Sequence, residues 1–331
     1  MHQPIITIRD LRKKFGDFIA VDGLSFDIYR NEVFGFLGPN GAGKTTTISM
    51  ICGLMPPSSG SISFHLNGTN RQREIKSQLG YCPQENIFWP KLTCREQMIF
   101  MAEMYGLKGK PVSKRSDELL GLMGLKEKSN VLAGKLSGGM KRRLSICLAL
   151  VHDPDILILD EPEAGLDPQS RLLVRDFITS LARTKTILLT THNMDEAEKL
   201  SDRVAIIDHG KLLMLDTPQN LKKTIGEGDI LELQIGRVLP NEQSMKKQTG
   251  PVDSEQESRL PGELIDLLSK ITDKVYLHDD TLILKSLHIL DAVPAVSEAI
   301  KNLGWKINEM KLRENSLEDV FIHLTGRKLR S

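Results

Sequence analysis

The stretch VFGFLGPNGAGKT, residues 33–45, decides the fold. Its first five residues are almost entirely apolar, a pattern typical of a strand that is covered on both faces of a parallel sheet. Residues 38–45 match the phosphate-binding pattern G-x-x-x-x-G-K-[ST], and the following run, TTISMICGLM, is compatible with a helix. Because strand, glycine-rich loop and helix occur in this order, the sequence favours a nucleotide site over a chance glycine-rich turn.

The residue types in this loop suit a polyphosphate. Glycines let consecutive backbone N–H groups turn toward phosphate oxygens, and the helix N-terminus adds the positive end of its dipole. Lys44 is expected to place its charge on the β- and γ-phosphates, and Thr45 to offer a hydroxyl to Mg²⁺. The residues predicted to bind the nucleotide here are Gly38, Pro39, Asn40, Gly41, Ala42, Gly43, Lys44, Thr45 and Thr46.

A second apolar stretch, ILILD, ends in two carboxylates, Asp160 and Glu161. A buried strand would deliver Asp160 to the carboxyl edge of the sheet, where it can hold Mg²⁺ opposite Thr45. Strand alternation predicts that Glu161 points the other way, toward an attacking water that it could deprotonate. Strands also end in acidic residues simply because they reach solvent, but the phosphate loop upstream favours the catalytic interpretation.

The sequence LSGGM, residues 136–140, precedes a helix-like run and predicts a second anion-binding helix N-terminus. One nucleotide cannot easily use two such sites in one subunit, so we expect a head-to-tail dimer in which this loop caps the γ-phosphate held by the partner. Gln84 follows the strand-like run LGYCPQ, and His192 follows TILLTT. Taken singly, either would be an ordinary loop residue.

In this order and spacing, the motifs resemble those of the ATP-binding subunits of ABC transporters, over roughly residues 5 to 225. The resemblance implies an α/β P-loop NTPase fold, with residues 38–45 as the Walker A loop, Ile156–Asp160 as the Walker B strand and residues 136–140 as the signature. It implies ATP and Mg²⁺ as ligands. The remaining roles that it implies are catalysis by Glu161, His192 and Gln84 and metal binding by Thr45, Gln84 and Asp160. It also implies nucleotide binding across the dimer by Ser137, Gly138, Gly139 and the D-loop Asp167, and adenine stacking by Phe15.

Several features qualify this resemblance. Phe15 is nearly as well explained as a half-buried core residue. The signature ends in Met140 where Gln is commoner, and Glu163 stands where a small or hydroxyl residue is usual, which puts an extra negative charge near the dimer seam. The tail SLEDVF, residues 316–321, followed by IHLTGR, looks like the ending of drug-resistance exporter ATPases related to daunorubicin exporters. The same tail is also a plain amphipathic helix.

Periodicity divides the chain into an ATP-binding domain at 1–228, with a helical subdomain at about 86–152, and a C-terminal accessory domain at 229–331. Predicted strands of the first are 5–9, 24–28, Val33–Leu37, Ile156–Asp160, 186–190 and 204–208. A polar linker or loop is expected at about 239–261. Around it, strands at 230–235, Lys274–His278, 281–285 and 305–312 and helices at 262–270 and 290–303 predict a small α+β ferredoxin-like sandwich.

Composition narrows the function. The 331 residues carry a net charge of +1 and only 5% aromatic residues, so no nucleic-acid partner is expected. The sequence contains no apolar stretch of membrane-spanning length, so transport needs a transmembrane permease, and we expect the chain at the cytoplasmic face of a membrane. The predicted function is therefore the ATP-hydrolysing subunit of an exporter of drug-like or lipid-like substrates, working as a homodimer or pseudo-dimer.

Other interpretations remain. A soluble ABC ATPase acting on nucleic acid or ribosomes would normally have two cassettes or a long coiled coil, and this chain shows neither. The C-terminal domain could instead bind a small regulatory ligand, which is compatible with transport. Residues 86–92, NIFWPKL, are the expected docking surface for the permease, with Phe88 and Trp89 either as exposed anchors or as core residues of the helical insertion.

Overall fold

The computed structural model describes residues 3–66, 72–225, 229–237, 262–272, 274–278, 281–286 and 289–326. The chain packs as two units, one of Met1–Leu221 with Phe321–Ser331 and one of Lys222–Val320. The domain boundary expected at 228 and 229 stays a prediction, because packing alone defines these units. The linker expected at 239–261 lies outside the described residues.

The described helices and strands are interspersed through the first unit and then follow the order β-α-β-β-α-β in the second. In chain order they are β1 (Pro4–Phe15), β2 (Phe18–Tyr29), β3 (Val33–Leu37), α1 (Lys44–Ile51), β4 (Ser59–Phe64), α2 (Gln72–Ser77), β5 (Leu79–Cys82), α3 (Cys94–Met104), α4 (Lys110–Leu122), α5 (Gly138–Leu150), β6 (Ile156–Asp160), α6 (Pro168–Leu181), β7 (Thr186–Thr191), α7 (Met194–Leu200), β8 (Arg203–Asp208), β9 (Lys211–Asp216), α8 (Pro218–Thr224), β10 (Asp229–Arg237), α9 (Gly262–Leu268), β11 (Lys274–His278), β12 (Thr281–Ser286), α10 (Ile289–Asn302), β13 (Trp305–Arg313) and α11 (Leu317–Thr325).

A six-stranded sheet of order β5-β6-β7-β3-β8-β9 forms the centre of the first unit. Its strands are parallel except for β9, which runs antiparallel to β8. Every residue of β3, β6 and β7 is buried. Along β6, Leu157 and Leu159 join one apolar cluster, and Ile156 and Ile158 join the other. The continuous apolar runs therefore arise from a sheet that is covered on both faces.

The elements around this sheet explain two strands that the sequence analysis missed. A separate three-stranded sheet, β2-β1-β4, includes the short strand β4. Gly60 in β4 has a φ of +85°, and a Cβ there would lie 2.3 Å from the carbonyl oxygen of Asp10. The other missed strand, β9, is a half-exposed edge strand. Both lack the buried apolar pattern from which the central strands were predicted.

The helical insertion consists of α3, α4 and α5, within the predicted range of about 86–152. α3 begins with a capping box, in which Thr93 and Glu96 exchange hydrogen bonds between side chain and backbone. Buried residues of all three helices, including Met98, Leu120 and Leu144, belong to the apolar cluster on one face of the six-stranded sheet. The insertion and the sheet therefore share one core.

The second unit is a four-stranded antiparallel sheet of order β11-β12-β10-β13. Leu264 of α9 and Val296 of α10 pack with Leu231, Leu233 and other strand residues in one aliphatic cluster. This strand order and the β-α-β-β-α-β sequence of elements are those of a ferredoxin-like sandwich.

Two further properties concern membrane spans and cysteines. In the part that the structure describes, no helix is both long and apolar enough to cross a membrane. The four cysteines are all free and buried. Burial raises the pKa of the Cys52 thiol to about 12 and that of the Cys82 thiol to about 11.

Candidate active site

The Walker A loop lies between the end of β3 and the start of α1, at the carboxyl edge of the six-stranded sheet. Gly43 is the N-cap of α1 and has a φ of +99°, in the left-handed region that glycine tolerates. A Cβ at Gly43 would lie 2.5 Å from the carbonyl oxygen of Ala20, and a Cβ at Gly38 would lie 2.3 Å from that of Ile207. Close backbone approach therefore requires glycine at both positions.

Lys44 is almost completely buried, with 5% of its surface exposed. Its ammonium group donates hydrogen bonds of 2.7 Å to the carbonyl oxygen of Gly38 and 3.1 Å to that of Pro39, so it curls back over the loop. Burial lowers the pKa of Lys44, while the charges of Glu161 and Asp160 act in the opposite direction. The loop thus holds a desolvated cation where a polyphosphate would bind.

Asp160 ends β6 and is 1% exposed. Its Oδ1 accepts a hydrogen bond from the hydroxyl of Thr190 on the neighbouring strand β7. Its Oδ2 is buried and has no hydrogen-bond partner among the described residues. A buried carboxylate oxygen without a partner is costly unless a cation or water satisfies it, so this atom fits a divalent metal ion.

Glu161 follows the strand with a φ of +51°, a conformation that is uncommon for a non-glycine residue. Its backbone N–H donates both to the carbonyl oxygen of Thr190, at 3.1 Å, and to the hydroxyl of Thr190, at 3.0 Å. The strand-alternation argument for the direction of the Glu161 side chain is therefore wrong, because β6 ends at Asp160 and a left-handed turn directs the side chain. Such backbone conformations persist where surrounding contacts fix them, often at functional sites.

The other predicted catalytic residues, Gln84 and His192, lie within hydrogen-bond distance of the Glu161 carboxylate. His192 Nδ1 lies 3.0 Å from its Oε1, and Gln84 Nε2 donates to its Oε2 at 3.2 Å. Lys44 Nζ lies 4.0 Å from Oε1. These residues come from the ends of β5, β6 and β7 and from the Walker A loop, so the sheet edge brings together residues far apart in the sequence.

Arg142 is a residue of this site that the sequence analysis missed. It lies on α5, two residues after the signature, and is 3% exposed. Its guanidinium donates to carbonyl oxygens on both sides of the site, those of Pro83, Gln84, Asp160, Glu161 and Pro162. It therefore fixes the Gln84 segment and the turn at Glu161 to the same helix. The basic run KRR marks a charged stretch but does not indicate which of its residues points inward.

The signature and the D-loop lie next to each other. Ser137 is the N-cap of α5, and its hydroxyl accepts a 3.3 Å hydrogen bond from the N–H of Met140. A Cβ built at Gly138 would meet open space, whereas one at Gly139 would lie 3.5 Å from Asp167 Oδ2. Among the hydrogen bonds of the described residues, none joins residues 136–140 to residues 38–45. The Met140 side chain packs against the apolar cluster that includes the insertion.

Asp167 caps α6, and its Oδ1 accepts a 3.0 Å hydrogen bond from the N–H of Ser170. That hydrogen bond lowers the pKa of the Asp167 carboxyl. Asp167 is therefore held as an anion at a helix N-terminus, where the helix dipole also favours negative charge.

The unusual residue Glu163 is buried, with 4% of its surface exposed, and is not left unpaired. Arg175 on α6 binds both of its carboxylate oxygens, at 3.0 and 2.8 Å. The extra negative charge predicted near the dimer seam is thus matched by a guanidinium in a two-bond geometry.

Glu196 on α7 is a second buried carboxyl beside this pair. Its Oε2 lies 2.5 Å from the hydroxyl of Thr191, and its Oε1 has no hydrogen-bond partner among the described residues. Burial raises the pKa of Glu196 to about 8, against the hydrogen bond with Thr191, which lowers it. Glu196 is therefore mostly protonated at neutral pH, and the sequence held no signal of this.

Comparison with known proteins gives consistent results. The ABC transporter sequence profile matches residues 21–164. The Nod factor export ATP-binding protein I of Burkholderia orbicola is 36% identical over 98% of both chains. The linearmycin resistance ATP-binding protein of Bacillus subtilis is 35% identical over 98% of this chain and 100% of its own length. This chain belongs to the ATP-binding subunits of ABC transporters.

A solved structure of an ABC transporter ATP-binding subunit supports this fold. It is 28% identical and superposes with a TM-score of 0.61 over 67% of this chain and 93% of its own. The α/β ABC ATPase fold predicted from the motifs is thereby confirmed, as is ATP hydrolysis as the activity of the family.

In this ABC ATPase, the three aromatic residues predicted to contact a ligand or a partner, Phe15, Phe88 and Trp89, differ in exposure and packing. Phe15 ends β1, is 50% exposed, and lies outside the buried apolar clusters of the described residues, with Lys13 Nζ 5.3 Å from its ring centre. Of the two aromatics expected to anchor a partner, Phe88 is half-buried and packs against the core of the insertion. Trp89 is 39% exposed and stacks edge-on with Phe100. An exposed anchor role for Phe88 is therefore wrong.

Proposed function

We propose that this ABC ATPase is the energy-coupling subunit of an exporter, in which two copies bind ATP between them and act on a transmembrane permease at the cytoplasmic face of a membrane. The observation that carries the proposal is the arrangement of Glu161, which lies within hydrogen-bond reach of both Gln84 and His192 and 4.0 Å from Lys44. A general base oriented by two polar side chains beside a buried lysine suits γ-phosphoryl transfer to water.

In the proposed reaction, the oxygen of a water attacks the γ-phosphorus, and the bond to the β,γ-bridging oxygen breaks to release ADP and phosphate. The Glu161 carboxylate accepts the proton of that water. His192 holds the Glu161 carboxylate in place through Nδ1, and Gln84 does so from the opposite oxygen. Lys44 and the N–H groups of the Walker A loop bind the phosphates. Phe15, with its half-exposed ring, is proposed to stack on the adenine.

Residues that would hold Mg²⁺ are Asp160, through its unpartnered Oδ2, and Thr45 in the first turn of α1, with Gln84 as a third candidate. All three offer oxygen atoms, which are the ligands that Mg²⁺ prefers, and few protein ligands suffice because the ion keeps several waters. When bound, Mg²⁺ would neutralise charge that develops on the phosphate oxygens.

Sharing of ATP between two copies is supported by the signature. Ser137, Gly138 and Gly139 form a helix N-terminus in which Gly138 faces open space and Gly139 lies beside Asp167 of the D-loop. A second copy in head-to-tail orientation would bring this N-terminus to the γ-phosphate. Asp167, beside Gly139, would then lie at the seam between the copies.

The permease is proposed to dock in an apolar groove beside the insertion. The groove has a volume of about 420 Å³, and its lining includes Leu54, Tyr81, Ile87, Trp89 and Tyr105. Ile87 is 67% exposed and Leu54 is 63% exposed, so the groove presents more than one large aliphatic side chain to solvent. The groove also contains Pro83, next to Gln84, so a permease segment seated there would contact the chain one residue from the catalytic cluster.

The direction and cargo of transport rest on relatives. One relative is named for Nod factor export and another for linearmycin resistance. Their similarity to this chain extends over nearly its whole length, including the C-terminal unit. We therefore propose export of a drug-like or lipid-like substrate.

The decisive variant is Glu161→Gln. It keeps the size and polarity of the side chain but removes the base, so we expect ATP binding to persist, phosphate release to fall by about 10²- to 10⁴-fold, and dimers to accumulate with ATP in size-exclusion chromatography. Turnover close to wild type would remove Glu161 from its role.

Sharing of the site is tested by mixing two inactive chains. Lys44→Ala removes the phosphate-binding cation, and Ser137→Arg blocks the signature. A mixed dimer contains one intact composite site, so mixing should restore part of the activity, whereas either chain alone should not. No recovery would contradict the shared site.

Copurification of the ATPase with ribosomes or nucleic acid, and not with an integral membrane protein, would favour a soluble ATPase that acts on nucleic acid or ribosomes over a transporter subunit.

A further inference from the structure

The strongest unexplained feature of the site is the buried ion pair between Glu163 and Arg175. Glu163 lies two residues after Glu161 and is 4% exposed, and Arg175 lies on the second turn of α6, with its side chain 18% exposed. The hydrogen bonds to Glu163 raise the pKa of Arg175. Buried pairs of this kind often add little to stability, because desolvation of the two charges offsets their attraction. In some proteins such pairs instead fix the relative positions of the segments that carry them.

The pair joins segments that carry proposed catalytic residues. Glu163 lies between Glu161 and the D-loop, and Arg175 belongs to the helix that Asp167 caps. The pair therefore closes the loop of residues 163–168 onto its own helix. Arg171, one turn earlier on that helix, donates to the carbonyl oxygen of Leu166 at 3.4 Å, with its Nε 3.8 Å from Glu163 Oε2.

The guanidinium of Arg175 also reaches the helix that follows His192. Arg175 lies 3.9 Å from Asp195 in the first turn of α7. α7 begins at Met194, two residues after His192, and Asn193 caps it through a 3.1 Å hydrogen bond from the N–H of Glu196. A displacement of Arg175 would therefore remove a charge contact at the base of the His192 segment as well as the support of the D-loop.

We propose that the Glu163–Arg175 pair is a positioning device that sets the D-loop and the His192 segment relative to Glu161, and so sets the rate of ATP hydrolysis without contributing to ATP affinity. The inference rests on the proposed catalytic roles of Glu161 and His192. Neither member of the pair contacts the Walker A loop in the hydrogen bonds of the described residues, so nucleotide binding should not depend on it. Glu163 thus acts through its neighbours and is not itself a catalytic residue.

The test compares single and double variants. Glu163→Gln removes the buried carboxylate that binds the Arg175 cation through two hydrogen bonds, so we expect a lower Tm and a kcat about tenfold or more below wild type, with KM for ATP within about twofold. The double variant Glu163→Gln/Arg175→Met has no unpaired buried charge. We expect its Tm to return close to wild type while kcat stays low, because two neutral side chains cannot reproduce the two-bond geometry.

This design separates positioning from stability. If kcat recovers together with Tm in the double variant, the pair is merely structural and the proposal is wrong. If Glu163→Gln alone does not fold, the double variant still decides the question. Lys199→Met is the matched control, because Lys199 also binds Asp195, at 2.8 Å, but from an exposed position on α7 itself. Its kcat should stay within about twofold of wild type.

Glu161→Gln, measured in parallel, distinguishes this inference from the proposed function. If Glu161→Gln abolishes turnover but the double variant turns over like wild type, only the positioning role fails. If Glu161→Gln itself retains turnover, the proposed function fails first, and a low kcat of the double variant would then have to act through another base.

Discussion

The catalytic edge of the first unit and the sandwich of the second unit differ in what they bury. The catalytic edge buries charged groups close together, including Lys44, Arg142, Asp160, Glu161 and Glu163. The sandwich has an aliphatic cluster of Leu, Ile, Val and Ala with partly buried neighbours around it. Among its described residues, Lys285 is the charged side chain that is buried, and its ammonium donates to the carbonyl oxygen of Ile225 and to Asn315.

The two regions therefore differ in the property that each is expected to govern, which is turnover for the catalytic edge and folding for the sandwich. Burying a charge costs free energy unless it is paired, so the first unit carries a cost at its catalytic edge that the apolar clusters on both faces of its sheet must offset. The second unit carries little of that cost, and its main ionic cluster, Arg313 with Glu232 and Asp319, lies partly exposed. Substitutions at the edge should therefore change turnover most, and substitutions in the sandwich should change folding most.

The largest effect on turnover among the following variants is expected at Arg142. Arg142→Met removes a guanidinium that serves five carbonyl oxygens, so the Gln84 segment and the turn at Glu161 lose their common support. We expect kcat for ATP hydrolysis to fall by about 100-fold, since small displacements of a catalytic group have effects of that size. Stopped-flow phosphate release measures it.

Arg143→Met is the control for that variant. Arg143 donates to the carbonyl oxygen of Met123 at 2.7 Å, away from the catalytic cluster. Equal losses of kcat in the two variants would show that general damage to α5, and not the loss of support for Glu161, causes the effect. Turnover would then not distinguish the catalytic edge from the rest of the molecule.

Substitution of Glu196 is expected to have an intermediate effect, which is on the pH dependence of the free energy of unfolding. The pKa of Glu196 is raised from 4.5 to about 8 in the folded chain, so between these values the folded chain holds a proton that the unfolded chain has released. The free energy of unfolding should therefore fall as pH rises from about 5 to about 8 and then fall no further on account of this group. Glu196→Gln cannot titrate, so the part of the slope due to Glu196 should vanish.

Thermal unfolding at several pH values between 5 and 9 measures this slope. Glu103→Gln, at an exposed position on α3, is the matched control and should keep the wild-type slope. At pH 7, kcat of Glu196→Gln should lie within about threefold of wild type, because the carboxyl is already mostly protonated there. An unchanged slope in Glu196→Gln would mean that the buried carboxyl does not carry the proton.

The smallest effect on turnover is expected in the sandwich. Leu233 on β10 is completely buried in the aliphatic cluster, so Leu233→Ala should destabilise the second unit by about 2–5 kcal/mol. Every residue of that cluster belongs to the second unit, and kcat should therefore change by less than about twofold. Hydrogen exchange of the two units, with the exposed Leu290→Ala as control, measures the local loss. A parallel loss of kcat would break the comparison.

The sequence predicts the parts of the site that are contiguous. Residues 38–45, Asp160 with Glu161, and residues 136–140 each form a short motif whose chemistry is evident from residue type and spacing. β3 and β6 were also predicted with their observed bounds, because continuous apolar runs have few alternatives in a buried sheet.

What the sequence cannot provide are contacts between distant backbone and side-chain groups. The acceptors of Arg142 are main-chain carbonyls, which have no sequence signature, and they lie up to 59 residues away. Glu163 stood out as an unexpected charge, but its partner Arg175 is 12 residues later on a helix whose orientation only the fold fixes. The left-handed turn at Glu161 depends on Thr190 of another strand, so the direction of its side chain was derived from the wrong cause.

The burial of all four thiols has a practical consequence. With the pKa of Cys52 raised to about 12 and that of Cys82 to about 11, almost no thiolate exists at neutral pH, and thiolate is the form that alkylating reagents attack. A reporter cysteine introduced on the surface should therefore be labelled far faster than the native ones. Fluorophores or spin labels can then test whether the proposed dimer opens and closes during turnover, in a chain that keeps its natural sequence everywhere else.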